Sequence, residues 1–496
     1  MKPKRFTKTM FRTVGLFLLA ALLVALACAL GAPTQPARVA SAAPTANGFA
    51  SLPPDAQSAI MRVLAQQDEM YARNAGAQRP LAAEPWIQQA KLTISDGAAN
   101  DQFGNSVSIS GDTIVVGAHG PAGPTHNSAH VFVKPVSGWA TTSTFTSKLT
   151  TGAGNWGFGR SVSISGDTIA VGAPDMPISG KGQQGAAYVF VKPVSGWATT
   201  STPVAELTVS DGVANDRFGD SISINGDTVV VGATGVNGSQ GAAYVFVKPV
   251  SGWATTSTFT AKLTASDGAA NDKFGYSVSI SDDTVVVGVM GVNSSQGAAY
   301  VFVKPTNGWA TTSTPTSKLA ASDGATNDNF GYSASISGDT VVVGAYRAKI
   351  GSNDLQGATY VFVKPTNGWA AAPNPMNQTA KLTASDGGSW DWFGTSVSIE
   401  GNMLVVGAQD AAFGGTKKGA VYAFVKPVSG WVTTSTFNAK LAASDGAELD
   451  HFGISTCYSG NTIVVGADWV DVGSNANQGA AYVFGIYHLY LPLILR

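Results

Sequence analysis

Asp282 and Asp283 stand side by side in the stretch NDKFGYSVSISDDTVVVGVMG, residues 271–291. Adjacent carboxylates are what acid–base catalysis and hard-cation binding both draw on. A second acidic pattern, D-G-x-x-x-D, recurs at Asp96 and Asp101, Asp211 and Asp216, Asp267 and Asp272, Asp323 and Asp328, Asp386 and Asp391, and Asp445 and Asp450. Two carboxylates on one loop, with backbone carbonyls, could hold Ca2+ weakly. They fall short of the roughly six to eight oxygens that calcium takes. An Asx turn at the first Asp and a cap at the second is the stronger reading. Five histidines, His119, His126, His130, His451 and His488, do not recur at any fixed interval. The first three share one variable segment, which has a metal-binding composition but reads better as a surface loop. No nucleophile elbow or zinc-binding helix is present in the sequence, so no catalytic residue is assigned and the chain is not read as an enzyme.

The elements that hold these residues repeat. Phe-Gly recurs at Phe103-Gly104, Phe158-Gly159, Phe218-Gly219, Phe274-Gly275, Phe330-Gly331, Phe393-Gly394 and Phe452-Gly453, with a mean period of about 58 residues. In each copy FGYSVSIS or its equivalent alternates as a strand does. TVVVG is a continuous apolar run expected of a strand covered on both faces, GAAYVFVKP is a third strand, and SKLAAS offers a fourth. Charged residues make up 12% of the chain against about 25% in a typical globular protein, and there are 58 glycines, which favours turns and strands over ion-paired helices.

Seven units of four strands, apolar on both faces, imply radial stacking: an all-β, seven-bladed propeller spanning residues 86–484. The last copy lacks a Trp-led fourth strand, and WIQQAKLTISDG at residues 86–97 is a fourth strand with no copy before it. The N-terminal strand therefore completes the last blade and closes the ring.

The copies resemble the FG-GAP repeat of integrin alpha chains, with Phe-Gly leading the inner strand and Val-Gly-Ala ending the second. The latter stands at Val116-Gly117-Ala118, Val171-Gly172-Ala173, Val231-Gly232-Ala233, Val343-Gly344-Ala345, Val406-Gly407-Ala408 and Val465-Gly466-Ala467, and is altered to Val287-Gly288-Val289 in the fourth copy. The resemblance implies an extracellular, non-catalytic module for adhesion or recognition. Family members often bind calcium through D-x-D-x-D-G, which this chain lacks. Where that loop would stand there are two turn residues, Gly-Asp or Gly-Asn in six copies and Asp282-Asp283 in the fourth. No metal site is carried over, and Ca2+ remains only the weak possibility above. Gly first suits a type II′ hairpin, and Asp282 in its place suggests a shift toward type I′.

Residues 1–42 carry early basic residues, an apolar run of 19 residues from Val14 to Ala32 and then Ala40-Ser41-Ala42, the order of a secretory signal peptide with its cleavage site. The run is also long enough for an uncleaved anchor. Residues 43–85 read as a linker with a short amphipathic helix. The apolar tail 485–496 is too short to span a bilayer. It packs on the propeller edge or serves surface retention. Without residues 1–42 the chain has 24 Lys and Arg against 31 Asp and Glu, a net charge of −7, which excludes a nucleic-acid partner.

The expected product is a secreted or cell-surface monomer binding an extracellular protein or glycan. Its ligand would lie on the rim formed by the loops between strands two and three, with Arg347, Lys349, Asp468, Trp469 and Asp471 as contacts. The competing reading is a polysaccharide lyase or glycosidase using the central funnel. An acidic or histidine constellation drawn from unlike copies would favour it. The repeated SVSIS, read as a Ser-lined channel, favours binding.

Overall fold

In the computed structural model, which describes residues 86–120, 127–151, 154 and 156–486, the alternating and continuous apolar runs become strands in the order in which they occur. The fourth copy forms an inner strand Phe274–Ser281, then Thr284–Val289, Ala298–Val303 and an outer strand Ser317–Ala320, hydrogen-bonded in that sequence. The second strand is buried from Val285 to Val289 because a neighbouring blade covers each face. The other copies repeat this order, and blade four adds a short parallel strand, Met376–Asn377.

The ring closes as expected. Trp86–Leu92 is the outer strand of blade seven, antiparallel to Ala480–Ile486, with Leu92 opposite Ala481. That strand runs two residues past the expected propeller boundary at 484. Each inner strand packs on those of both neighbouring blades, and Ser455–Ser459 of blade seven packs on Phe103–Ser110 of blade one. The expected signal segment, the linker helix and the tail beyond 486 lie outside the described residues.

Each repeated residue has a place in the contact between blades. All seven Phe of the Phe-Gly pairs are buried to 1% exposure or less, each contributing about 1.5–3 kcal/mol from apolar area removed from water. The Gly that follows has positive φ in every blade, from +87° to +105°. The Gly of Val-Gly-Ala sits where a Cβ would strike the next blade: on Gly117 it would lie 2.1 Å from the Gly159 carbonyl oxygen, and on Gly466 1.9 Å from that of Gly104. The repeated Trp packs rather than protrudes, Trp139, Trp197, Trp253, Trp309, Trp369 and Trp431 all being buried.

The serines of SVSIS, most of them partly exposed, join blades. The first donates to the carbonyl of the next blade's Phe-Gly glycine, as Ser277 Oγ does to Gly331 at 2.9 Å. The second accepts the N–H of the next inner strand's Ile, as Ser279 does from Ile336 at 3.1 Å. The third accepts the N–H of the next hairpin's first residue, as Ser281 does from Gly338 at 3.2 Å.

The Asp282-Asp283 hairpin belongs to this scheme. Asp282 donates its N–H to Asn225 Oδ1 at 3.2 Å, Asn225 standing where blade six has Glu400 and the remaining blades have Ser. The expected shift toward type I′ does not occur. Asp282 has φ +50°, close to the +54° to +59° of the glycines in its place, and Asp283 is not among the positive-φ residues, whereas type I′ needs both positive. Pairing of Ser281 with Thr284 and the bond to Asn225 impose the common turn. Asp283 forms an ion pair with Lys304 at 2.6 Å.

Candidate functional site

The inner strand pairs regularly with the second except at its start. In blade four Phe274 faces Val289 and the next pair is Ser277 with Gly288, leaving Gly275 and Tyr276 in a bulge. The same shift occurs at Asn105, Asp220, Tyr332 and Thr395. A bulge re-aims the side chain it carries. Here the re-aimed position changes from copy to copy, Asn105, Asp220, Tyr276, Tyr332 and Thr395, and in blades two and seven Arg160 and Ile454 stand at the same place just before the paired strand. Six of these, all but Thr395, line one cavity of about 520 Å3. It draws on six of the seven blades and so lies on the propeller axis, at the mouth where Phe-Gly begins each inner strand.

The residue before each Phe also varies and is held in the left-handed region: Gln102, Gly157, Arg217, Lys273, Asn329, Trp392 and His451 have φ from +52° to +72°. Six are not glycine, and such conformations cost energy that a functional position tolerates. Arg217 and Lys273 reach the cavity.

One side of the mouth is charged. Arg217 donates Nη2 and Nε to Asp220 at 2.9 and 3.2 Å and Nη1 to Asp175 at 2.9 Å, and Thr234 donates its hydroxyl to Asp220. His119 lies 3.7 Å from Asp175; it and Arg217 hold the Asp175 carboxyl below its ordinary range despite burial. Arg160 and Lys273 have no carboxylate within ion-pair distance among the described residues. Blades four to six bring aromatic rings to the mouth. The rings of Tyr276 and Tyr332 are 5.0 Å apart, those of Tyr332 and Tyr346 4.2 Å, and Trp392 meets Tyr346 edge-on at 5.7 Å. Arg347 lies over Tyr346 at 5.2 Å.

A third group adjoins the mouth through Asn105, which donates to Asp468 at 3.4 Å. His451 Nδ1 is 3.2 Å from Asp468, its Nε2 is 3.8 Å from Asp410, and its ring stacks on Trp469 at 4.1 Å. Burial raises the Asp410 carboxyl, and the nearby His451 draws it down only in part.

The D-G-x-x-x-D loops lie on the same face, and their carboxylates are already engaged. The first Asp takes the lysine of its blade's outer strand, as in Asp211–Lys262 at 2.6 Å and Asp267–Lys318 at 2.5 Å. That lysine also lies over the third-strand Tyr, Lys318 being 5.2 Å from the Tyr300 ring. The second Asp accepts the N–H three residues before it, as Asp272 does from Ala269 at 2.7 Å. Asp101, Asp216, Asp328, Asp391 and Asp450 do the same. One carboxylate facing an ammonium and the other an amide do not compose a calcium shell. Among the described residues no group of three or more His, Cys, Asp or Glu side chains is arranged to hold a metal ion.

Copy two shows how these residues depend on one another. Its loop is two residues shorter and has neither Asp, and Glu206 stands where the other outer strands have Lys. In copy one His130 replaces the third-strand Tyr. Of the three histidines read as one surface loop, His130 lies instead in strand Ser128–Val133 with no exposure, 3.8 Å from Asp96, and burial lowers its pKa. His126 lies outside the described residues.

Of the five expected contacts, Arg347, Asp468 and Trp469 belong to the groups around the mouth. Lys349 is exposed and paired with Asp354 at 2.7 Å, and Asp471 accepts the Asn477 N–H at 2.9 Å, both away from the cavity lining. The mouth residues Arg160, Asp220, Tyr276 and Tyr332 were not singled out from the sequence. Setting the copies side by side would have found them, since the positions flanking Phe-Gly vary more than the rest of the strand.

A family model described as FG-GAP repeat matches residues 86–133, 144–190, 202–246, 257–302, 314–362, 376–424 and 436–484. No curated protein matches the chain. Among solved structures, the crystal structure of the computationally designed Ika8 protein is similar at 14% identity and a TM-score of 0.42, covering 80% of this chain and 99% of that one.

Proposed function

The chain belongs to the FG-GAP repeat family, a propeller fold of binding or scaffold-type modules, and from that premise we propose that it is an extracellular, non-catalytic binding protein whose ligand enters the axial mouth. The carrying observation is that the most variable inner-strand position, set on a bulge in five blades, contributes six side chains to one cavity of about 520 Å3, within the roughly 300–1,000 Å3 of ligand pockets. This relocates the expected contact surface from the outer loops toward the axis. Among the described residues Asp220 is the only acid lining the cavity, and Arg217 and Thr234 hold it, so none of these lining residues offers the ligand a free carboxylate or imidazole to act as acid or base. The basic and apolar residues 1–42 with Ala40-Ser41-Ala42 support export.

The test is a binding screen of the full chain against glycans and cell-surface proteins. Tyr332→Ala should lower binding of any hit at least tenfold, and Lys349→Ala and Asp471→Ala should leave it unchanged. The reverse pattern sinks the axial reading.

A second reading, hydrolysis or elimination on a polysaccharide, is favoured by His451 between Asp468 and Asp410, a constellation from unlike copies. Product release from a bound polysaccharide, abolished in His451→Ala, would establish it in place of the first.

A further inference from the structure

The cations of the mouth are out of balance. Its lining holds Arg160, Arg217 and Lys273 against Asp220 alone. Arg217 is neutralised by Asp220 and Asp175, which leaves two half-buried cations without an anionic partner among the described residues. Elsewhere in the propeller lysines at repeated positions carry carboxylates, Lys262, Lys318, Lys381 and Lys440 on one face and Lys192, Lys304 and Lys364 at the hairpins. In a chain of net charge −1 these two cations stand without a carboxylate among the described residues, at a cavity where the blades differ. Cations in a partly desolvated site gain most from a charge-assisted bond to an incoming anion.

The rest of the lining suits a hydroxylated ring. Tyr276 and Tyr332 offer apolar ring surface with polar tips, and Asn105, Asn215, Ser239 and Thr234 supply amide and hydroxyl partners. Burial pushes the Tyr276 hydroxyl well up, so it stays a neutral donor at any physiological pH. The two cations make no extended basic trough such as a long polyanion requires.

We propose that the mouth binds an acidic saccharide, its carboxylate or sulfate held by Arg160 and Lys273 and its sugar ring set against Tyr276 and Tyr332. This rests on the axial reading above and adds the ligand class.

Titration calorimetry of the full chain with tetragalacturonic acid and with its methyl ester tests it, beside a panel of sialylated and sulfated oligosaccharides and an aspartate-bearing peptide. At least one acidic saccharide should bind, weaken tenfold or more on neutralisation of its acid groups, and weaken as salt rises. Arg160→Gln and Lys273→Gln should each cost it about tenfold, with unchanged thermal melts confirming the fold, and Tyr332→Ala should weaken acid and neutral forms alike. If acid and neutral forms bind equally and both depend on Tyr332, the anion assignment falls and the axial reading stands. If binding ignores all three substitutions, both fall. Binding of the peptide alone through Arg160, or no binding across the panel, overturns the saccharide.

Discussion

Ser455 donates its hydroxyl to the carbonyl oxygen of Gly104 across 2.7 Å, although 351 residues separate them in the chain. The same bond links every other pair of adjacent blades: Ser106 to Gly159, Ser161 to Gly219, Ser221 to Gly275, Ser277 to Gly331, Ser333 to Gly394 and Ser396 to Gly453. The seventh contact repeats this bond, while Cys457 stands where the other inner strands carry the second bonding serine.

The seam can be broken sterically. A methyl group on Gly466 would lie 1.9 Å from the Gly104 oxygen, and Gly466 does not have positive φ, so backbone strain plays no part. Gly466→Ala is expected to cost about 3 kcal/mol, the upper range of overpacking. At Gly111, φ is +55° with nothing within 4 Å, and Gly111→Ala should cost about 1 kcal/mol from conformation alone. Urea unfolding compares them; equal losses would refute a packing role for the Val-Gly-Ala glycine.

The second Asp of each loop predicts a pH effect. Burial raises the Asp328 carboxyl, opposed by the Ala325 amide and by Lys381. A raised folded pKa favours folding fully below the unfolded value of about 4, and that contribution is lost as pH rises through the folded value. Asparagine keeps the acceptor for the Ala325 N–H without the charge. Asp328→Asn should therefore match or exceed wild-type stability at pH 7, with the gap closing below about pH 4. Urea midpoints at pH 3.5 and pH 7 decide it, and an equal deficit at both would show that shape alone matters.

The first Asp behaves oppositely. Burial acts to raise Asp267, but Lys318 and the Tyr300 hydroxyl outweigh it and the pKa is lowered. Its contribution is present above about pH 4 and lost as pH falls toward the depressed value. Asp267 is half exposed, so a Lys318/Asp267 double-mutant cycle should give a coupling of only about 0.2–1 kcal/mol, shrinking in 1 M salt. A coupling well above that, insensitive to salt, would contradict the assignment.

Left-handed residues beside the mouth should show a conflict between stability and binding. Gln102 has φ +52° and does not line the cavity, and Lys273 has φ +60° and does. Gln102→Gly relieves a conformation disfavoured by about 1–2 kcal/mol, offset in part by the freedom that Gly adds to the unfolded chain. Both glycine substitutions should raise the melting temperature slightly, and only Lys273→Gly should weaken ligand binding. A lower melting temperature in Gln102→Gly would show that its side chain supports the loop.

Strand order, blade count and closure were legible in the sequence because a seven-fold repeat states the same instruction seven times. The Phe-Gly and Val-Gly-Ala glycines were legible as geometry, though that the two meet across blades was not, since separate copies carry them. Serine in SVSIS was legible as the polar face of the inner strand, but its bonds to the next blade were not, because period-two alternation shows that residues share a face without showing what they meet. The mouth went unread for a related reason. A bulge is invisible in the alternation pattern, so Tyr276 and Tyr332 looked like members of a regular strand instead of side chains turned to the axis.

Pairing of Trp86–Leu92 with Ala480–Ile486 also sets an order of events during synthesis. The strand that leaves the ribosome first can take its place only after the strand made last has been translated, whereas blades one to six can each form from contiguous sequence. Closing so long a loop costs only slowly growing entropy, about 0.6 kcal/mol per doubling of length, so the delay is one of time and not of stability. In the interval the growing chain carries an unpaired Trp-led strand, and a neighbouring chain at the same stage offers the same unfinished blade, which makes exchange of this strand between two molecules the natural error of the fold.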